Sequence, residues 1–284
     1  MEIQKIETEV SSLQAERIGN SFNQFLKWLG EDIQISKIDT NMISTYQRYR
    51  LQKVSRDTVD KDTNFILRML KNNDIHIQRP KAKAGKKTEI KAFNKNELIA
   101  FFNHCYNPIL RCLFLTMLST GARPTELIPS RRSTHIPLLK EEIDFDKGEI
   151  TIRSAKVLPG HQGKIRKIRV SRELIKLLKR RIESNQGDYV FPYMFISREF
   201  NQILKDAKIP QFDNLGRKLI AHSFRHTYAS FIAEETGGDQ FILKELLGHT
   251  QIKTTERYVH TRTESKIYDI GYLQKKRKEK IKND

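Results

Sequence analysis

Four short segments hold residues able to act together on an oxyanion or a phosphate. In TGARPTEL, Arg123 lies between Gly121 and Pro124. Proline is favoured in the first turn of a helix, so Arg123 is expected at a helix N-terminus, where backbone N–H groups already favour an anion. In HSFRHTYASF, His222 and Arg225 stand three apart, on one helix face, while Phe224, Tyr228, Phe231 and Ile232 supply an apolar stripe on another. A His and an Arg converging beside a buried stripe suit an oxyanion or a phosphate. In LLGHTQIKTTERYVH, His249 follows a Leu-Leu-Gly that ends a helix, and Tyr258 comes nine residues later, within the next helix. Lys156 closes the strand-like ITIRSAK, at the lip of a loop marked by Pro159 and Gly160. Taken singly, each has an ordinary reading: a solvated Arg, a common H-x-x-R pair, one Lys among many, a packing Tyr like the nearby Tyr268 and Tyr272.

The elements that must position these residues fall into two regions. Residues 1–78 read as short amphipathic helices and no strands. Phe22, Phe25, Leu26 and Leu29 form one stripe ended by Gly30; Met42, Ile43 and Tyr46 begin another after a cap at Thr40; Val59, Phe65, Ile66, Met69 and Leu70 mark a third. Residues 79–91, RPKAKAGKKTEIK, carry six basic residues and one acidic residue with nothing apolar enough to pack. By composition this is a linker, and a basic one can also lie along a phosphate backbone. Residues 92–284 form the second region. It opens on a capping box, Asn94 with Glu97, followed by a buried helix over Ile109 to Leu118 that stops at Gly121. Ile143 and Phe145, the turn Asp146-Lys147-Gly148, then Ile150 and Ile152 read as a β-hairpin, and Ile165, Ile168 and Val170 as a third strand. Helical periodicity returns from Arg172 and continues to about His260, before a charged tail. The fold class that results is mainly α with a small antiparallel β-sheet (α+β).

Composition narrows the partners. The 284 residues carry a net charge of +18 spread over the whole chain, which points to a polyanion, nucleic acid being the commonest. The two cysteines, Cys105 and Cys112, make neither a disulfide framework nor a metal motif. No stretch reaches the roughly 18 apolar residues of a membrane span, and the N-terminus lacks the apolar run of a signal peptide. A soluble protein of a reducing, cytoplasmic compartment, with no membrane contact, is expected.

In combination and in this order, Arg, Lys, His-x-x-Arg, Gly-His and Tyr resemble the catalytic signature of the tyrosine recombinases, or phage integrases. The matching text is TGARPTEL, SAK, HSFRHTYAS, LLGHT and TTERY, within roughly residues 92–265. The helical first region with its basic linker is similar to that family's core-binding DNA domain. The resemblance implies that Arg123 and Arg225 clamp the non-bridging oxygens of a phosphodiester, with charge-assisted bonds. It implies Tyr258 as the nucleophile that forms a 3′-phosphotyrosine, His222 as its base, His249 as a phosphate ligand and Lys156 as the acid for the leaving 5′-oxygen. Neither ATP nor a metal is implied, because the covalent link conserves the bond energy. The implied partners are double-stranded recombination sites, bound by a homotetramer that is monomeric without DNA and exchanges C-terminal segments. Ile267, Ile270 and Leu273 have helical spacing suited to such a segment.

Two departures from the family pattern stand out. Pro129, Arg131, Arg132 and Pro137 make an apparent insertion after Arg123, expected to form a basic loop near DNA. The long loop after Lys156 makes Lys164 its rival as general acid. Glu126 matches an acidic position expected to support the site. The chain looks too short for an additional arm-binding domain, so a simple two-domain enzyme is expected, and an integrase of a phage or mobile element is favoured over a chromosome-dimer resolving enzyme. A non-catalytic DNA-binding protein on the same fold and a type IB topoisomerase-like enzyme are the alternatives.

Overall fold

The computed structural model describes residues 12–30, 33–80, 90–130, 135–154, 164–193 and 195–248. The chain divides into two compact units, Met1–Lys87 and Thr88–Asp284.

The described part of the first unit holds three helices, α1 (Ser12–Leu29), α2 (Thr40–Leu51) and α3 (Arg56–Asn72), and a 3₁₀ turn at Ile35–Lys37. Phe25, Ile43, Tyr46, Ile66 and Leu70 form its core, with the Phe25 and Tyr46 rings edge-on at 4.9 Å. The buried face of α1 runs through Ile18, Ser21 and Phe25, whereas Leu26, expected on that face, is 60% exposed. The cap of α2 is Asp39, not Thr40: its carboxylate accepts the Met42 N–H at 2.7 Å. A carboxylate one residue earlier reaches the exposed N–H, so Thr40 becomes the first helical residue. Beneath the apolar core, Arg50 pairs with Asp62 at 2.8 Å and Ser21 donates to the same carboxylate at 2.8 Å, which joins all three helices.

The second unit begins with α4 (Lys95–His104), where Asn94 and Glu97 make the expected reciprocal cap. Next comes α5 (Pro108–Thr120), capped by Asn107 and buried along most of its length. It stops where Gly121 adopts φ +60, and a Cβ there would lie 2.3 Å from the Tyr228 ring. Glycine is therefore needed twice over, for the left-handed backbone and for the close approach. A four-residue helix, α6 (Pro124–Leu127), and a 3₁₀ turn at Lys140–Glu142 precede the strands β1 (Ile143–Asp144), β2 (Glu149–Arg153) and β3 (Ile165–Arg169). The sheet is antiparallel, in the order β1-β2-β3, with Ile150 opposite Ile168 and Ile152 opposite Arg166. Phe145 lies in the turn between β1 and β2 instead of in a strand, although it still packs on the core. Ile165 is 64% exposed, and Arg166 takes the inward place beside Ile168.

Four further helices complete the described unit: α7 (Arg172–Glu183), α8 (Ser197–Asp206), α9 (Ser223–Glu235) and α10 (Gln240–Leu247). Stacked and edge-on rings of Phe93, Phe101, Phe114, Phe200 and Phe224 bind α4, α5, α8 and α9 together. A smaller cluster of Tyr228, Ala229, Ala233, Leu243 and Leu247 seats α10 on α9. The architecture is mainly α with a small antiparallel sheet. No helix among the described residues is long and apolar enough to cross a membrane.

Candidate active site

Arg225 is the hub of the site. It is 1% exposed, the largest fully buried side chain among the described residues. Its Nη1 donates to the Gly121 carbonyl at 2.7 Å and its Nη2 to the Leu247 carbonyl at 2.6 Å. Those carbonyls belong to the end of α5, two residues before Arg123, and the end of α10, two residues before His249. One planar side chain on α9 thus gathers three segments that lie far apart in sequence. The apolar stripe of α9 positions it: Phe224 inserts into the main core, while Tyr228 packs against Gly121 and the smaller cluster.

His222 sits at the N-cap of α9, half-buried, with its ring 5.3 Å from that of His226 in an edge-on arrangement. His222 and Arg225 are therefore both in the opening of one helix, His222 as its cap and Arg225 in its first turn. His226, 7% exposed, was not foreseen from sequence, where its place between Arg225 and Thr227 carried no distinguishing signal.

Arg123 stands at the start of α6, but the anion at that N-terminus is the chain's own Glu126. The Glu126 carboxylate accepts the Arg123 backbone N–H at 2.8 Å through Oε2 and the Arg123 Nη1 at 2.8 Å through Oε1. A second guanidinium reaches it from the sheet: Arg166 Nη2 donates to Oε2 at 2.6 Å. Glu126 is 2% exposed. Burial by itself would raise its pKa, yet Arg166 and then Arg123 hold it down at about 2, so it remains ionised. Arg166 is a residue that sequence reasoning missed. The isoleucines and valine assigned to the third strand have mixed parity; Ile168 and Val170 alone put residue 166 on the inner face, and Ile165 obscured that alternation.

Lys164 lies just before β3, exposed, and its carbonyl accepts the Ser154 N–H at 2.9 Å. The inserted segment returns to the site: Leu138 is buried, and its N–H donates to the Glu126 carbonyl at 3.0 Å. Half-buried His135 has its pKa lowered by burial, against the opposing pull of Glu126. Burial pushes the Tyr228 hydroxyl up to about 12, which keeps that phenol neutral. Lys156, Arg131, Arg132, His249 and Tyr258, together with Ile267, Ile270 and Leu273, lie outside the described residues. Among the described residues, no group of His, Cys, Asp or Glu is arranged to hold a metal ion.

The fold is one seen in a solved structure. It is similar to a lambda integrase fragment solved as a dimer bound to a core site, with a TM-score of 0.73 over 93% of this chain and 95% of that one, at 14% identity. The family model for the phage integrase family matches residues 88–265. The chain belongs to the phage integrase family. Among curated proteins it is similar to Tyrosine recombinase XerA of Saccharolobus solfataricus, 26% identical over 198 residues, 69% of this chain and 60% of that protein. It is also similar to Tyrosine recombinase XerA of Pyrococcus furiosus, 31% identical over 155 residues, 52% of this chain and 49% of that protein. The matched regions thus span between 49 and 60% of these relatives' length.

Proposed function

We propose that this protein cleaves and rejoins double-stranded DNA at specific sites through a covalent link to Tyr258, in the integration or excision of a phage or mobile element. The observation that carries the reading is the bonding of Arg225, which draws the segments leading to Arg123 and His249 to the helix opening that holds His222. Three of the family's motif segments thereby converge around buried or half-buried cations, in surroundings where charge-assisted bonds are strong.

In this reading Arg123 and Arg225 bind the non-bridging oxygens of the scissile phosphate and stabilise the negative charge that builds up during attack. Preorganised donors of this kind contribute about 3–4 kcal/mol each. A phenol with an ordinary pKa of about 10 needs a base at neutral pH, and His222 takes its proton. The Tyr258 oxygen attacks phosphorus, the bond to the 5′-oxygen breaks, and Lys156, or Lys164, protonates that oxygen. His249 donates to the phosphate. Attack by a 5′-hydroxyl reverses the step and releases Tyr258, so no nucleotide or metal cofactor is needed. Residues 1–78 serve as the core-binding DNA domain, residues 79–91 as a basic linker along the backbone and residues 92–284 as the catalytic domain. The active assembly is a homotetramer on DNA, formed from monomers.

A nicked suicide substrate, cut from the sequences flanking the gene's own element, tests the reading when incubated with wild type and Tyr258→Phe. A covalent protein–DNA band on a denaturing gel, lost in Tyr258→Phe, is expected. DNA bound by both proteins without an adduct would overturn the catalytic reading and leave a DNA-binding protein. Relaxation of supercoiled plasmid irrespective of sequence would instead identify a topoisomerase-like activity.

A further inference from the structure

We propose that Arg166 is a positioning residue for this reaction: one buried guanidinium shares the Glu126 carboxylate with Arg123 and backs Gly248, the residue before His249. The inference rests on the reading of Arg123 and His249 given above. It starts from the strand face on which Arg166 lies. Ile150, Ile152 and Ile168 occupy the inner face of the sheet, and Arg166, at 7% exposure, takes the place an aliphatic residue would fill. Only Nη2 is hydrogen-bonded, to Glu126; among the described residues, Nε and Nη1 have no hydrogen-bond partner. Buried N–H groups without partners lower stability, and well-packed apolar residues commonly replace a buried ion pair without loss. Stability alone therefore does not explain an arginine here.

Charge does. Arg123 and Glu126 alone would form a neutral pair, whose field largely cancels at an approaching phosphate. Arg166 binds Oε2 while Arg123 Nη1 binds Oε1, so the three groups together keep one net positive charge. The carboxylate then orients Arg123 without neutralising the site. The second contact reaches the opposite wall. Gly248 ends α10 at φ +63, and a Cβ there would lie 3.2 Å from Arg166 Nη1. The turn that precedes His249 is thus built directly against the guanidinium that sets Arg123.

The test measures single-turnover adduct formation on the suicide substrate, with the scissile phosphate either native or replaced by a methylphosphonate. Wild type, Arg123→Ala, Arg166→Ala and Arg166→Lys are compared, and DNA affinity is measured separately in the Tyr258→Phe background. A misplaced catalytic group lowers rate by about 100-fold, and Arg166→Ala is expected to do so on the native phosphate while changing affinity by less than about twofold. On the methylphosphonate, which lacks one negative oxygen, the loss should shrink to about tenfold or less, as for Arg123→Ala, because less charge needs to be matched. Arg166→Lys, which keeps the charge, should recover about tenfold over Arg166→Ala, and it carries the test against wild type if the alanine variant does not fold. Folded Arg166 variants that cleave within about threefold of wild type, or that lose the same factor on both substrates, overturn the inference alone. Absence of any Tyr258-dependent adduct from wild type overturns the recombinase reading and this inference with it.

Discussion

Glu126 keeps its charge in a place that disfavours charge, and acid should reveal it. Its pKa of about 2 in the fold lies below its ordinary 4.5. Between those values the unfolded chain binds the proton more readily, so the ion pairs stabilise the fold fully above about pH 4.5 and progressively less as pH falls towards 2. The span corresponds to something on the order of 3 kcal/mol. Thermal melts between pH 6 and 3 should show a steep acid limb in wild type and a shallower one in Glu126→Gln; parallel limbs would count against this account. Glu126 itself was expected as a supporting acid because, three residues beyond Arg123, it matches an acidic position of the family that the motifs resemble. Arg166 was not. It reaches Glu126 across 40 residues of sequence, and only the pairing of Ile152 with Arg166 turns it inward. Arg225 was legible as a candidate only through the family's His-x-x-Arg pattern, and its burial and its two carbonyl partners depend on segments that local periodicity cannot place.

At the scale of elements, what sequence revealed best was what neighbouring residues decide. The Asn94–Glu97 cap and the halt at Gly121 each depend on a few adjacent positions, and both are present. Substituting an N-cap costs about 1 kcal/mol, so Asn94→Ala should lower the melting temperature by a few degrees while leaving the fold intact. Gly121→Ala should cost more, about 2 kcal/mol or above, because it combines backbone strain with an overlap against Tyr228. If its melt matched that of Asn94→Ala, the close approach described here would be wrong. Local reading went astray where two candidates competed for one role. Asp39 displaced Thr40 as the cap of α2, and Phe145 looked like a strand residue although the register of β1 and β2 makes it part of the turn. Alternation marks which residues are apolar, but only pairing with a partner strand fixes where a strand ends.

Across the whole molecule, the net charge of +18 predicts binding that weakens steeply with salt. Each phosphate contact contributes a slope of about −0.9 to log K against log salt. If residues 79–91 lie along DNA, replacing Lys81, Lys83, Lys86 and Lys87 with Gln should flatten that slope by as much as about 3.6. Titrations at several salt concentrations would measure it, and an unchanged slope would show that the segment only joins the two units. The bonding of Arg225 has a different kind of consequence, one of timing. Its two carbonyl partners lie 104 residues before it and 22 after it in the sequence. Contacts at such separations cost more loop-closure entropy than local ones, and neither can form before both partner segments are present. A ribosome-bound or proteolysed chain that lacks α10 could expose its basic surface to a chromosome, yet it would be missing one of the two carbonyls that orient the hub arginine. For a protein proposed to break DNA, the capacity to cut would thus mature after the capacity to bind, and an unfinished copy would be a harmless one.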